Sequence, residues 1–329
     1  MSRRALVRVL LRPVARRARA EADWLASRRG TADVAVFHEF HQPPYGGGNQ
    51  FLLALAGDLR RRGLTVEVNR VSGGTPACLY NSFNFDFGRL RRFARADVRM
   101  VHRVDGPVGV YRGFDDGTDG RIAEINALAD ATILQSRYSL EKHRELGLEL
   151  RNPVVIHNAV DPAIFHPPVQ REPLANRRLR VIATSWSANP RKGADVLGWL
   201  DEHLDHDRHE LTFAGNTERA FRNIRVVPPV PSEQLAELLR AHDVFLAPSR
   251  DDPCSNALLE ALACGLPSAF RRSGGHPELV GEAGVGFDDA EELPAALARL
   301  STELEERRAA IRIPSLQKVG DRYVELLRP

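Results

Sequence analysis

SRDDPCSNALLEALACGLPSAFRRSGGHPELVG, residues 249–281, is the stretch that decides how this chain folds. It begins where a strand, DVFLAPS (243–249), runs out into a loop of acidic and small residues. A helix starts near Ser255 or Asn256, and the chain returns as a second strand, LPSAFRR (266–272). Strand, helix and strand at this spacing argue for parallel strands in a doubly wound sheet. The free N–H groups and dipole at the start of the helix form an anion site. Asp252 on the loop and Glu260 in the helix stand with seven residues between them and can reach one cavity. Carboxylates so placed suit a hydroxyl-rich group, because each accepts two hydroxyl hydrogen bonds. The plainer alternative makes Asp252 a cap and Glu260 a surface residue, but NALLEALACG is apolar around Glu260.

Outward from this unit the same alternation repeats. LRVIATSW, ELTFAGN and IRVVPPV read as strands, and GADVLGWLDEHL and SEQLAELLRAH as helices. Before a Pro-rich and charged linker at 161–178, the pattern occurs once more. There ADVAVFHEF, LTVEVNRV, VRMVHRV, ATILQS and 153–157 are strands. NQFLLALAGDLRRRG is a helix with Asn49 as its expected N-cap and Gly63 as its C-cap. The expected fold class is α/β, two Rossmann-like, doubly wound parallel-sheet domains (31–165 and 178–313) facing across a cleft. Ligands belong at the carboxyl ends of both sheets, at the switch points. VSGGTPACLYNSFNFDFGRL (71–90) carries aromatics suited to sugar stacking, for which service to the core or a loop is the favoured alternative.

Charge is uneven along the chain. The formal net charge of +3 combines nine arginines against Glu21 and Asp23 in residues 1–30 with 37 basic and 41 acidic groups elsewhere. Residues 1–30 read as a basic amphipathic helix. Either it packs on its own domain, or residues 1–28 make peripheral contact with an anionic membrane. Three cysteines form no disulfide framework or zinc spacing, no apolar run spans a bilayer, and the leader lacks a secretory h-region. A cytoplasmic setting is expected, with no nucleic acid as partner. Lys142, Lys192 and Lys318 are the three lysines, so a lysine followed by Gly after a strand, as in NPRKGADVL, carries information. Asp205-His206-Asp207 fits a metal-binding DxD pattern but precedes a strand and reads as solvated. GGGN lacks dinucleotide-binding spacing.

Five stretches in order resemble the retaining glycosyltransferases of family 4, which have the GT-B fold. They are PPYGGGNQFLLALAGDLRRRGLTVEV, VIHNAVDPAIFHP, NPRKGADVL, LTFAGN, and LEALACGLP with SGGHPELVG. The resemblance covers about Asp33 to Phe287. It implies a metal-independent hexosyltransferase whose nucleotide-diphosphate sugar is substrate, with no cofactor. Ser255, Asn256 and Ala257 at the helix start, with Lys192 and Arg191, would hold the diphosphate. Glu260 would bind the ribose. Asp252 and the loop after Ser273 would bind the sugar hydroxyls, and Gly47 and Gly48 would approach phosphates or sugar. His102 matches a catalytic family histidine near the reacting carbon, beside Lys192 and Asp252 as catalytic residues. Its alternative is a satisfied core histidine. Arg103 and Asp105, in VHRVDGPVGVYRGFDDGTD, are candidates for acceptor binding. The final helix (315–329) would cross back to the first domain. The chain departs from the family pattern at Asp252, where the family has Glu, at Pro253-Cys254-Ser255, where Gly-Phe-Gly is usual, and at Ala159, where Gly is usual. A nucleotide-sugar 2-epimerase and a non-catalytic nucleotide-sugar binding subunit are the alternative functions.

Overall fold

The structure, a computed structural model, describes residues 30–42, 45–175 and 177–328. The expected leader helix and its membrane contact lie outside the described residues. The first sheet contains β1 (Val34–Phe37), β2 (Val66–Val68), β3 (Ala77–Asn81), β4 (Arg99–Val104), β5 (Ala131–Leu134) and β6 (Pro153–Val155). Its order is β2-β1-β3-β4-β5-β6, and every pairing is parallel. Between the strands run α1 (Gly47–Arg61), α2 (Phe87–Phe93), α3 (Val108–Arg112), α4 (Thr118–Asn126) and α5 (Arg137–Glu145).

The second sheet contains β7 (Leu179–Ser185), β8 (His209–Gly215), β9 (Ile224–Val227), β10 (Val244–Ala247), β11 (Ser268–Arg271) and β12 (Gly284–Phe287). Its order is β12-β11-β10-β7-β8-β9, again all parallel. The accompanying helices are α6 (Ala194–His203), α7 (Ser232–Arg240), α8 (Asn256–Ala263), α9 (His276–Val280), α10 (Leu293–Thr302), α11 (Leu304–Ala309) and α12 (Leu316–Leu327).

Each sheet is covered on both faces, so its inner strands are apolar without alternation. β3, β5 and β10 are buried at every position. Within 71–90 the core alternative for the aromatics holds. The short apolar run ACLYN is a central strand, and Tyr80 is fully buried in the core. Phe83, Phe85 and Phe87 pack against the same cluster, so they are not a sugar-stacking surface. The first helix also starts two residues before its expected cap. Asn49 lies in its first turn and pins the preceding loop, accepting from His41 N (3.0 Å) and donating to His41 O (2.9 Å).

α12 lies on the first sheet although it follows the second in sequence. Leu316, Val319, Tyr323 and Leu327 form one helical stripe against Phe51, Leu52, Leu55 and Leu59. Gly320 permits the approach: a Cβ there would stand 2.3 Å from Asp58 Oδ2. Arg62 then ties the two helices, pairing with Asp58 (2.6 Å) and Asp321 and donating to Gln317 O (2.6 Å).

Candidate active site

The switch point of the second sheet lies between β7 and β10, whose crossovers leave in opposite directions. The loops that follow these two strands meet there. Gly193 (φ +95°) lets them touch, because a Cβ would fall 2.4 Å from Pro248 Cγ. Asn189 caps a short 3₁₀ turn, Pro190–Lys192, by accepting from Arg191 N. That turn aims Lys192 across to the other loop, where Nζ donates to Asp252 Oδ2 at 2.7 Å. Asp252 is 7% exposed. Burial works against its charge, but Lys192 and His276 outweigh burial and hold the carboxyl below its usual range.

Ser255 caps α8, its Oγ accepting from Leu258 N. Asn256 and Ala257 follow on the wall of a cleft of about 400 Å³. Glu260 lies one turn further on, is 8% exposed, and has no hydrogen-bond partner among the described residues. Burial alone pushes its carboxyl up to about 8. A buried, unpartnered carboxyl facing a cavity is costly on its own and ready for hydroxyl donors.

Arg191, next to Lys192, turns the other way. It pairs with Asp251, whose backbone is left-handed (φ +54°) and which accepts from Tyr138 Oη of the first domain (2.8 Å). Its stem packs beneath Gly113, where a Cβ would stand 2.9 Å from Arg191 Cδ. Arg191 does not line the cleft, so the expected diphosphate contact is not made from this position. The loop after Ser273 also lies outside the lining. Gly275 N donates to Asp252 O (2.8 Å), so this loop buttresses Asp252 from behind.

The first domain supplies the opposite lip. Gly47 comes so near α8 that a Cβ would stand 2.4 Å from Asn256 Nδ2, while Gly48 lines open space. Asp105, just past β4, faces the cleft beside Tyr111 and Gln135. His102 and Arg103 do not reach it. Both are fully buried, because β4 is covered on both faces and successive side chains point into opposite cores. His102 stacks on Tyr80 (4.5 Å), Asn126 Nδ2 donates to its Nδ1 (3.0 Å), and its Nε2–H donates to Ser82 O (2.9 Å). Burial pushes its pKa down to about 3. It is a satisfied neutral core histidine, and the catalytic role expected of it is not supported. Arg103 lies over Phe51 (4.9 Å) in the other core and has no access to an acceptor.

Sequence reading missed Gln135, Tyr111, Trp186 and Tyr45, all of which line the cleft. Gln135 and Trp186 each directly follow a strand (β5 and β7), and the strand-end rule could have found them. It also missed Glu278 of α9, which accepts from Arg137 N (3.1 Å) and Tyr138 N (3.2 Å) at the start of α5. His157 Nε2 stands 3.2 Å from the same carboxylate. Asp205-His206-Asp207 forms a turn after α6, Asp205 accepting from Asp207 N, away from the cleft lining.

Residues 181–303 match the family described as Glycosyl transferases group 1. The matched residues run from β7 to α10 of the second domain. A D-inositol 3-phosphate glycosyltransferase of Corynebacterium jeikeium is 36% identical over 213 residues, 62% of this chain and 49% of the relative. The chain spans about half the length of the curated relatives it matches. Sucrose-phosphate synthase from Thermosynechococcus elongatus superposes with a TM-score of 0.67 at 16% identity, covering 91% of this chain and 95% of that one. Anabaena Alr3699/HepE in complex with UDP-glucose gives 0.59 at 16% identity, covering 89% and 95%. These likenesses show the GT-B fold, the second domain forming one wall of the cleft and the first sheet the other.

Proposed function

We propose that the protein is a retaining, metal-independent glycosyltransferase moving a hexose from a nucleotide-diphosphate sugar to an acceptor hydroxyl. The observation that carries the reading is Glu260, an unpartnered buried carboxyl in the cleft one turn inside a helix whose N-terminus faces the Lys192–Asp252 pair. The family match over residues 181–303 and the UDP-glucose bound by the Anabaena protein support a nucleotide-sugar donor.

The donor's diphosphate sits at Ser255–Ala257, and Glu260 accepts from ribose hydroxyls. Lys192 is the cation among the described lining residues, against Asp105, Asp252 and Glu260. As the diphosphate enters, the ammonium shifts toward it and frees Asp252 to accept from sugar hydroxyls. Negative charge grows on the diphosphate as the glycosidic bond breaks, and the ammonium and helix N–H groups stabilise it in place. The acceptor attacks from the leaving-group side, and the departing phosphate takes its proton. Asp252 orients the sugar and is not a general base. Asp105, Gly47 and Gly48 serve the acceptor side and the approach to the transferred sugar.

Thermal-shift titration with UDP-, GDP-, ADP- and dTDP-sugars should single out one donor. Transfer should then be sought with inositol 3-phosphate among the acceptors, since relatives are named for it. The product's anomeric configuration should match the donor's, and EDTA should leave the rate unchanged. Inversion, or full loss of rate with EDTA, overturns those parts of the reading. Tight nucleotide binding without turnover on any acceptor would favour a binding subunit, and interconversion of the free sugar nucleotide would favour an epimerase. No helix among the described residues is long and apolar enough to cross a membrane. Peripheral contact through residues 1–28 is part of the proposal: deleting them should lower binding to anionic vesicles and spare nucleotide affinity.

A further inference from the structure

Arg103 is the largest fully buried side chain among the described residues, and its hydrogen bonds form a closed circuit. Nη2 donates to Asn158 Oδ1 (2.8 Å), and Asn158 Nδ2 donates to Gln135 Oε1 (2.8 Å). Gln135 Nε2 donates to Asp105 Oδ1, and Arg103 Nη1 donates to the same oxygen (3.3 Å), which closes the ring. Nη1 also donates to Asn81 Oδ1. The polarity of the ring is forced. A guanidinium can only donate and a carboxylate can only accept, so neither amide can be flipped without breaking two bonds. Asn158 and Gln135 are almost wholly buried, so a broken link would leave orphaned polar groups.

Two consequences follow. The ring uses only Oδ1 of Asp105, and Oδ2 has no partner among the described residues. Asp105 lines the cleft, so its free oxygen is held at the cleft wall as an acceptor. In addition, Asn158 Nδ2 reaches Asn256 Oδ1 (3.1 Å), the first residue of α8 in the other domain. One buried circuit therefore joins the carboxylate on the first lip to the helix start on the second.

We propose that Arg103 and Asn158 are positioning residues that hold Asp105 Oδ2 as the acceptor for a sugar or polyol hydroxyl and keep it in register with the head of α8. This deepens the transferase reading and rests on it. Asn158→Asp is the informative variant: it is isosteric and still accepts from Arg103, but it cannot donate to Gln135 or Asn256. Its turnover, normalised to nucleotide-binding sites, is expected to fall about 10- to 100-fold. The Kd for the nucleoside diphosphate should change less than about 3-fold. Asp105→Asn should lose a similar amount, and the double variant should lose little more than either single one.

The hydroxyl can come from the acceptor or from the donor sugar. A raised acceptor KM with unchanged donor hydrolysis in Asp105→Asn assigns it to the acceptor. Slowed hydrolysis without acceptor assigns it to the donor. Unchanged turnover in Asn158→Asp, or losses that multiply in the double variant, overturns the positioning role while the transferase reading stands. Wild-type protein that binds nucleotide and turns over no donor overturns both.

Discussion

The two lips of the cleft are both built by six-stranded parallel sheets, in different strand orders, and present their chemistry differently. On the second domain the functional groups sit on loops beyond β7 and β10 and on the first turns of α8, outside the strands themselves. Lys192, Asp252 and Glu260 all reach it from there. On the first domain the chemistry-bearing run VHRVD straddles the end of β4, and only the residue past the strand escapes the sheet. His102 goes into one core, Arg103 into the other, and Asp105 alone faces the cleft. In a sheet covered on both faces, a polar residue inside the strand supports the site, and a polar residue one step beyond it can touch a ligand.

The largest effect expected from that contrast is at Lys192. Lys192→Ala removes the cation of the lining and leaves Asp252 buried without its partner. Transfer is expected to fall by about 100- to 1,000-fold. A loss below 10-fold with normal nucleotide affinity would break the assignment of the second lip.

Next is His102. His102→Gln should destabilise the fold by roughly 1–3 kcal/mol through lost buried hydrogen bonds, with turnover per folded molecule unchanged. A fall in turnover at constant Tm would restore a catalytic histidine. The pH dependence has a definite sign. The native imidazole, held near 3 by burial, binds no proton while the unfolded chain takes one up near 6.5, so its contribution to stability is lost as pH falls through that interval. His38, held near 4 by burial and by Arg103, acts in the same direction. The decline in Tm between pH 7 and pH 5 should be shallower in His102→Gln.

Glu260 should show the opposite slope. Its folded value of about 8 lies above the ordinary carboxyl value of 4.5, so the native state keeps a proton that the unfolded chain has released. Its contribution to stability declines as pH rises through that interval. Glu260→Gln should therefore gain Tm relative to wild type between pH 5 and pH 9, while nucleotide affinity falls about 10-fold, or ~1.4 kcal/mol. A constant Tm difference across that range would contradict the buried, unpartnered carboxyl.

The smallest effect is at the seam between the lips. Tyr138→Phe removes the hydroxyl that Asp251 accepts, worth about 1 kcal/mol. It should lower turnover a few-fold, leaving the Tm nearly unchanged. Measured by transfer rate and differential scanning calorimetry, an unchanged rate would show that Arg191 and Asp251 brace the seam without affecting turnover.

Much of the fold was legible because periodicity reports local structure. Alternating apolar runs and capped helices over 179–280 correspond to β7 through α9. β3 and β12 were not legible. ACLYN is buried at every position and shows no alternation, GVGF is a half-buried edge strand with two glycines, and both are flanked by turn-forming residues. Within the candidate site, Asp252, Ser255, Asn256, Ala257, Glu260 and Lys192 line one cleft with Gly47, Gly48 and Asp105. Arg191 was expected beside Lys192 because the two are adjacent in sequence. A 3₁₀ turn puts neighbouring side chains about 120° apart, and a partner at Asp251 decided which way Arg191 points.

What the sequence determined by itself was the alternation of strands and helices, the helix start at Ser255 and the chemical types available to the cleft. These depend on spacing and on properties of single residues. Only the tertiary structure decided which polar residues face the cleft and which face a core, because that depends on the position of each strand's last residue and on what covers both faces of its sheet. The circuit from Arg103 to Asn256 belongs to the second class. Its five side chains come from β4, the turn just beyond it, the end of β5, the segment after β6 and the head of α8, and only the folded chain brings them together.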